Sequence, residues 1–264
     1  MAIEIIYCAN GNRRFAQIAI EAGMTYGAQL PGTVYFPPEF ADQDWKKPNR
    51  TAYVAAVAQH RPRIATVLDW ERDEQLPEVL GWAEDVAPFV ERVIIIPKVT
   101  GGVPRLPRRI GGREVVLGYS VPTRYGGTEL PLWEFAGWPV HLLGGSPHRQ
   151  IAMAHYLNAV SADGNYIGKM ARERNQFWTR GTARYAKDRF WPSLREMDGH
   201  AWGDGSGAAD APYEAFRRSC VNVMAAWWGL GVGCVGRGGV LAATASPGDD
   251  PVDRPALLLE PLGE

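Results

Sequence analysis

Val140-His141-Leu142-Leu143-Gly144-Gly145-Ser146-Pro147, with Asp163 sixteen residues further on in Val160-Ser161-Ala162-Asp163-Gly164-Asn165, is the stretch that decides the fold. An apolar strand ends in two glycines, a helix opens at Pro147 and runs toward Ala159, and a carboxylate closes the next strand. A β/α barrel presents reactive groups in this way, at the C-terminal ends of its strands. Helix starts after glycine turns also offer free backbone N–H groups to phosphate or another anion. An enzyme acting on a phosphate-bearing substrate is therefore the first expectation.

Working outward, short apolar runs alternate with helical patterns. Strands are expected at Ile3 to Ala9, Thr25 to Gln29, Ile64 to Leu68, Val93 to Ile96, Val115 to Leu117, Val140 to Leu143 and Ala159 to Ala162. Helices fall between several of them: Arg13 to Ala22 behind an Asn12 cap, Arg50 to Gln59, and Leu76 to Val86. Tyr35 to Asn49 reads as a long polar, aromatic loop, and Pro122 to Pro139 holds at most a short helix. Strands at this spacing pair in parallel, and right-handed crossovers then leave an open sheet or a closed barrel. Seven candidate strands and no dinucleotide fingerprint after the first favour an α/β, (β/α)8-type TIM barrel. It is read as a single domain over residues 1–245, with a basic, aromatic C-terminal elaboration at 169–195 and a loose Pro- and Asp-rich tail at 246–264.

At 264 residues and 46% hydrophobic, the chain can bury a sizeable core. No run approaches the roughly eighteen apolar residues of a membrane span. Met1-Ala2-Ile3-Glu4-Ile5-Ile6 enters a strand directly, so no secretion signal is expected. Cys8, Cys220 and Cys234 are scattered, which points to a reducing compartment and no closed metal site.

Asp69, Lys98, Tyr119, Ser120, Ser146 and Asp163 all fall at or just past expected strand ends, so a barrel gathers them at one mouth. A carboxylate there is shielded enough for acid, base or nucleophile work; a helix cap or a simple turn at Gly164-Asn165 is the alternative. Lys98 after Pro97 suits a Schiff base, a substrate donor or a solvated surface position. Gly118 permits close backbone approach to a ligand or merely a tight turn. His141 and His148 flank Gly144-Gly145 without metal-ligand spacing. From Lys169 to Arg195 the cations Lys169, Arg172, Arg180, Arg184 and Lys187 are interleaved with Phe177, Trp178, Tyr185, Phe190 and Trp191. That pattern fits phosphate contacts with base stacking, or an amphipathic helix with aromatics in the core. The loop Asp44 to Arg50 could add a second contact.

In order, these strand ends resemble the tRNA-guanine transglycosylase superfamily, including its phage and bacterial DNA deazaguanine branch, over about residues 1–170. Ile64 to Asp69 is similar to the family strand ending in a base-recognition aspartate. Ile94 to Lys98 sits where the family has a base-contacting glutamine. Val116-Leu117-Gly118-Tyr119-Ser120-Val121 is similar to the segment whose glycine backbone contacts the base. His141 to Pro147 resembles the family's Leu-x-Gly-x-Gly turn, and Asp163 falls at the nucleophile's place. The family's Asp-Ser-Gly-Gly-Phe-Gln, with its acid/base aspartate, should fall near the end of strand two. Here that place reads Gly27-Ala28-Gln29-Leu30-Pro31-Gly32, without a carboxylate. The glutamine is Lys98, and the zinc-binding cysteines and the additional RNA-binding domain are absent.

The resemblance implies a DNA base-exchange transglycosylase that replaces guanine with a 7-deazaguanine derivative through a covalent aspartyl-glycosyl intermediate. Asp163 and Asp69 are then the catalytic candidates, and Lys98, Gly118, Tyr119, Ser120, Gly144, Gly145 and Ser146 the substrate contacts. DNA is implied to lie on the cations between Lys169 and Lys187. The implied partners are DNA and a 7-deazaguanine-type free base, with a homodimer possible, no membrane, no cofactor and no metal. The implied location is the cytoplasm, that of the host for a phage-encoded chain. Two other readings stay open: a barrel lyase or aldolase with Lys98 as Schiff base, and a catalytically inactive barrel that binds nucleic acid.

Overall fold

The computed structural model describes residues 3–9, 11–123, 126–181, 188–202 and 209–229. Its elements run β1 (Glu4–Cys8), α1 (Arg13–Glu21), β2 (Thr25–Leu30), β3 (Phe40–Gln43), α2 (Arg50–His60), β4 (Ile64–Thr66), α3 (Leu76–Val86) and β5 (Arg92–Ile95). They continue as β6 (Arg109–Ile110), β7 (Arg113–Ser120), β8 (Val140–Leu143), α4 (Pro147–Ala154), β9 (Ala159–Gly164), α5 (Tyr166–Arg174), α6 (Leu194–Asp198) and α7 (Ala211–Trp228). Eight strands pair in parallel in the order β1-β2-β3-β4-β5-β7-β8-β9, and β9 returns to β1, which closes a barrel. β6 only folds back antiparallel onto the start of β7. The expected (β/α)8-type barrel is thus the fold. α7 packs against α5 and α1 and completes the outer ring. The 246–264 tail and Cys234 lie outside the described residues.

The eighth strand sits where the sequence reads as loop. β3 lies within Tyr35 to Asn49, and only residues 31–39 join it to β2, with no helix between them. α4 ends at Ala154 rather than reaching Ala159, because His155 to Asn158 turn the chain into β9.

Strand alternation sorts the side chains into two sets. Ile6, Cys8, Phe40, Ile64, Ile94, Ile96 and Val116 form one apolar cluster inside the barrel. Ile5, Tyr7, Ala28, Ala41, Ala65, Val93, Val115, Leu117 and Leu142 belong to the larger core under the helices. At the N-terminal strand ends, Thr25 donates to Glu4 (2.8 Å), Arg63 pairs with Glu4 and Glu39, and Arg92 meets Glu114 across the β5–β7 register. The interior isoleucines and Phe40 therefore form a packed floor, with ion pairs on one side and the mouth on the other.

β9 departs from strict alternation. Val140 faces Ala159, but its neighbour His141 faces Ser161, so Val160 is an extra, bulged residue. A bulge shifts the in–out phase by one position. Ala162 consequently joins the outer core and Asp163 turns toward the barrel interior.

Gly118 is required by the same crowding. A Cβ there would lie 2.5 Å from Ile96 Cγ1 and 2.8 Å from Leu143 Cδ1. Gly118→Ala is expected to lower stability by roughly 1–3 kcal/mol through overpacking, read as a shift in the denaturant midpoint at unchanged slope. An unchanged midpoint would show that the interior relaxes around the methyl group.

Candidate active site

The C-terminal strand ends surround a cavity of about 740 Å3, within the usual range for a small-molecule site. Asp42, Asp69, Lys98, Ser120, Gly144 and Asp163 are among its lining residues. Asp163, the carboxylate expected after the glycine turn, is buried and fixed from behind. His141 Nε2 lies 3.1 Å from its Oδ1, and His141 Nδ1 lies 2.7 Å from Ser161 Oγ. An imidazole with its hydrogen on Nε2 donates to Asp163 and accepts from the Ser161 hydroxyl, which satisfies all three groups inside the barrel. His141 is fully buried and stacks on Phe40 at 5.1 Å, so its ring has little freedom. Gln150 of α4 donates to the carbonyls of Gly144 (2.9 Å) and Asp163 (2.6 Å) and ties the ends of β8 and β9 together.

The second carboxylate comes from the strand that sequence reasoning missed. Asp42 occupies β3 beside Gln29 of β2 in the register. It accepts from the Thr66 hydroxyl at 3.0 Å, and that oxygen also accepts the Gln43 backbone N–H. Desolvation first, and then the charge on Asp163, raise the Asp42 carboxyl to about 8, against the lowering hydrogen bonds from Thr66 and the Gln43 backbone. The Asp42 carboxyl therefore keeps its proton at neutral pH. Two carboxylates in one cavity, one of them held protonated by its surroundings, are a common catalytic arrangement.

Asp69 and Lys98 stand together on another part of the wall, with Lys98 Nζ 2.7 Å from Asp69 and 3.0 Å from Glu71. Burial raises the Asp69 carboxyl above its ordinary value even against the Lys98 bond. For Lys98, burial pulls downward, but the hydrogen bond and charge of Asp69, reinforced by Glu71, hold the ammonium above its ordinary range. Imine chemistry needs a lysine shifted the other way, so Lys98 is built to stay charged. Cys8 also lines the cavity, but burial pushes its thiol far up, and it is no nucleophile.

Other expected contacts fall elsewhere. Gly118 is enclosed by Ile96 and Leu143. Tyr119 points outward, buried edge-on against Phe135 at 5.3 Å, because it alternates with Gly118 and Ser120. Gly144 and Gly145 line the mouth, whereas Ser146 lies beyond it with its hydroxyl 3.1 Å from His148 Nε2. Gly145 has φ +77, and a Cβ there would meet Val121 at 2.6 Å, so this turn admits only glycine.

Among the cations, Lys169 lines a second cavity, Arg172 is exposed on α5, and Arg180 lies at the C-terminal end of α7 beside Gly229. Arg184 and Lys187 lie outside the described residues, as does Tyr185. Phe177, Trp178 and Trp191 are buried and Phe190 stacks on His148. These aromatics serve the core and are not free for base stacking. Among the described residues, Trp45 is the aromatic that reaches the mouth, 60% exposed, two residues after the buried Gln43, whose Oε1 has no hydrogen-bond partner there.

Among the described residues, no group of three or more His, Cys, Asp or Glu could hold a metal ion, and no helix is long and apolar enough to cross a membrane. No curated protein matches the sequence. Residues 19–227, which span the barrel from α1 to α7, match the profile of a family described as of unknown function, and the chain belongs to that family, DUF6610.

Proposed function

We propose that this barrel transfers a glycosyl group between bases: it exchanges a guanine in DNA for a 7-deazaguanine derivative, with Asp163 as nucleophile and Asp42 as proton carrier. The pair Asp42–Asp163 carries this reading, because two carboxylates, of which Asp42 keeps its proton at neutral pH, line one cavity of suitable size. Asp163 would attack C1′ as the C1′–N bond to the departing base breaks, and Asp42 would hand its proton to that base. The covalent product is an ester between C1′ and Asp163. In the second half the incoming base gives a proton to Asp42, its nitrogen attacks C1′, and the carboxylate of Asp163 departs. The two displacements avoid a free abasic site. The sugar passes through an oxocarbenium-like state, which the acidic side chains Asp69, Glu71 and Asp163 would stabilise against Lys98, the cation among the described lining residues.

The target base would have to leave its stack. Trp45 offers a face for it at the rim, and Asp69, Lys98 and Gln43 offer polar partners. The inactive-barrel reading rests on the missing carboxylate after strand two, and Asp42 on the adjacent strand removes that ground. The aldolase reading loses its basis with the doubly paired Lys98. Incubation of DNA, and of RNA in parallel, with a radiolabelled 7-deazaguanine base should put label into DNA alone. Label in neither polymer would defeat the proposal, and label in RNA alone would reassign the substrate.

A further inference from the structure

Beside the mouth lies a second cavity of about 640 Å3, which shares Thr123, Gly144, Gly145 and Asn165 with the first. Its charge is of the other sign. Among the described residues, Arg149, Lys169 and Arg174 line it against one carboxylate, Glu173. Burial, together with the nearby Arg149 charge, lowers His148 below its ordinary value, so the imidazole adds no charge there at neutral pH. Lys169 is half-buried, and none of the three cations makes an ion pair within 4.0 Å among the described residues. Arg149 donates to the Pro122 carbonyl at 2.7 Å, which fixes the arm of its guanidinium without neutralising it. A lysine at the cavity wall with no counter-ion leaves its charge open to an anionic ligand.

Position in the fold points the same way. β8 and β9 are the seventh and eighth strands of the closed barrel, and the loops after those strands are where barrels commonly hold phosphate. The starts of α4 and α5 both border this cavity, and neither has a side-chain cap, which is true also of α3 and α7. We propose that this second cavity binds the phosphodiester flanking the reacting sugar, held by Lys169, Arg149 and the uncapped helix starts. The inference rests on the base-exchange reading for the identity of the sugar, and deepens it. The acidic mouth repels a phosphate while the basic annex accepts one, so the division of charge would orient the nucleotide with its sugar toward Asp163.

The test uses the full chain and needs no turnover. Inorganic phosphate titrated into 15N-labelled protein should shift the amide signals of Gly145, Ser146 and Tyr166. A deoxytrinucleotide with natural linkages should bind about tenfold or more tightly than the same trinucleotide with uncharged methylphosphonate linkages. The double substitution Lys169→Gln with Arg149→Gln should remove both the amide shifts and that preference, with an unchanged circular dichroism spectrum. Equal affinity for the two trinucleotides in the wild type overturns the proposal, even if inorganic phosphate binds, since the site would then serve a free phosphate. A preference that survives the double substitution overturns it as well. A failed incorporation assay with the linkage preference intact would defeat the base-exchange reading alone.

Discussion

Asp163→Asn should lower base exchange by roughly 10^3-fold or more, as expected when the atom that forms a covalent bond is lost. The substitution keeps the volume, and an Asn side-chain oxygen can still accept from His141 Nε2, which lies 3.1 Å away. The fold and the affinity for DNA should therefore survive, and the loss should appear in kcat far more than in KM. Wild-type protein quenched with DNA before the second base is added should carry a sugar adduct on the peptide that contains Asp163. The Asn variant should carry none. Full activity in this variant would move the nucleophile elsewhere, with Asp42 the next carboxylate in the same cavity.

The second large effect is expected from Asp42→Asn, with exchange down by about 10^2- to 10^4-fold, the usual range for loss of a general acid and base. Its signature lies in pH. With the Asp42 carboxyl raised to about 8, wild-type exchange should decline as the pH passes that value and the proton for the departing base is lost. The residual activity of the Asn variant should lack that limb. Stability follows the same proton. Asp42 has a folded value far above the roughly 3.9 of an unfolded aspartate, so its contribution to stability is full below about 4 and is lost as the pH rises toward 8. The variant has no such proton to lose, and an amide oxygen can still accept from Thr66. Denaturation at pH 5 and at pH 9 should show the variant gaining on the wild type at the higher value. An identical gap at both would mean that Asp42 titrates normally and cannot be the proton carrier.

Seven of the eight barrel strands could be read from apolar runs because each supplies three or more β-branched, aliphatic or aromatic residues for burial. β3 could not. Of Phe40-Ala41-Asp42-Gln43, only Phe40 is strongly apolar, and the inward partner of Phe40 is the catalytic candidate Asp42 itself. The prolines at 37 and 38 and the polar run from Gln43 to Asn49 complete the look of a loop. One signal was available: the stretch between β2 and β4 is long for a connection, yet it holds only one helix. Asp163, Asp69 and Lys98 were legible because strand ends in a barrel share a mouth, whatever the details. The orientation of Asp163 was not. Strict alternation from Ala159 would send it outward, and only the bulge at Val160, a matter of hydrogen-bond phase with β8, turns it in. The basic stretch misled in part, since its aromatic spacing arises from burial of Phe177, Trp178 and Trp191 in the core.

The isoleucine and Phe40 floor of the barrel bears on the timing of the proposed reaction. With the strands packed solid beneath the carboxylates, the expelled base has no rear exit and must retreat through the opening by which its replacement arrives. The two bases then compete for one berth, and the first has to clear it while the sugar is still bonded to the enzyme. Traffic of this kind is ping-pong in kinetic form, and the lifetime of the covalent state is set by departure and arrival at a single doorway.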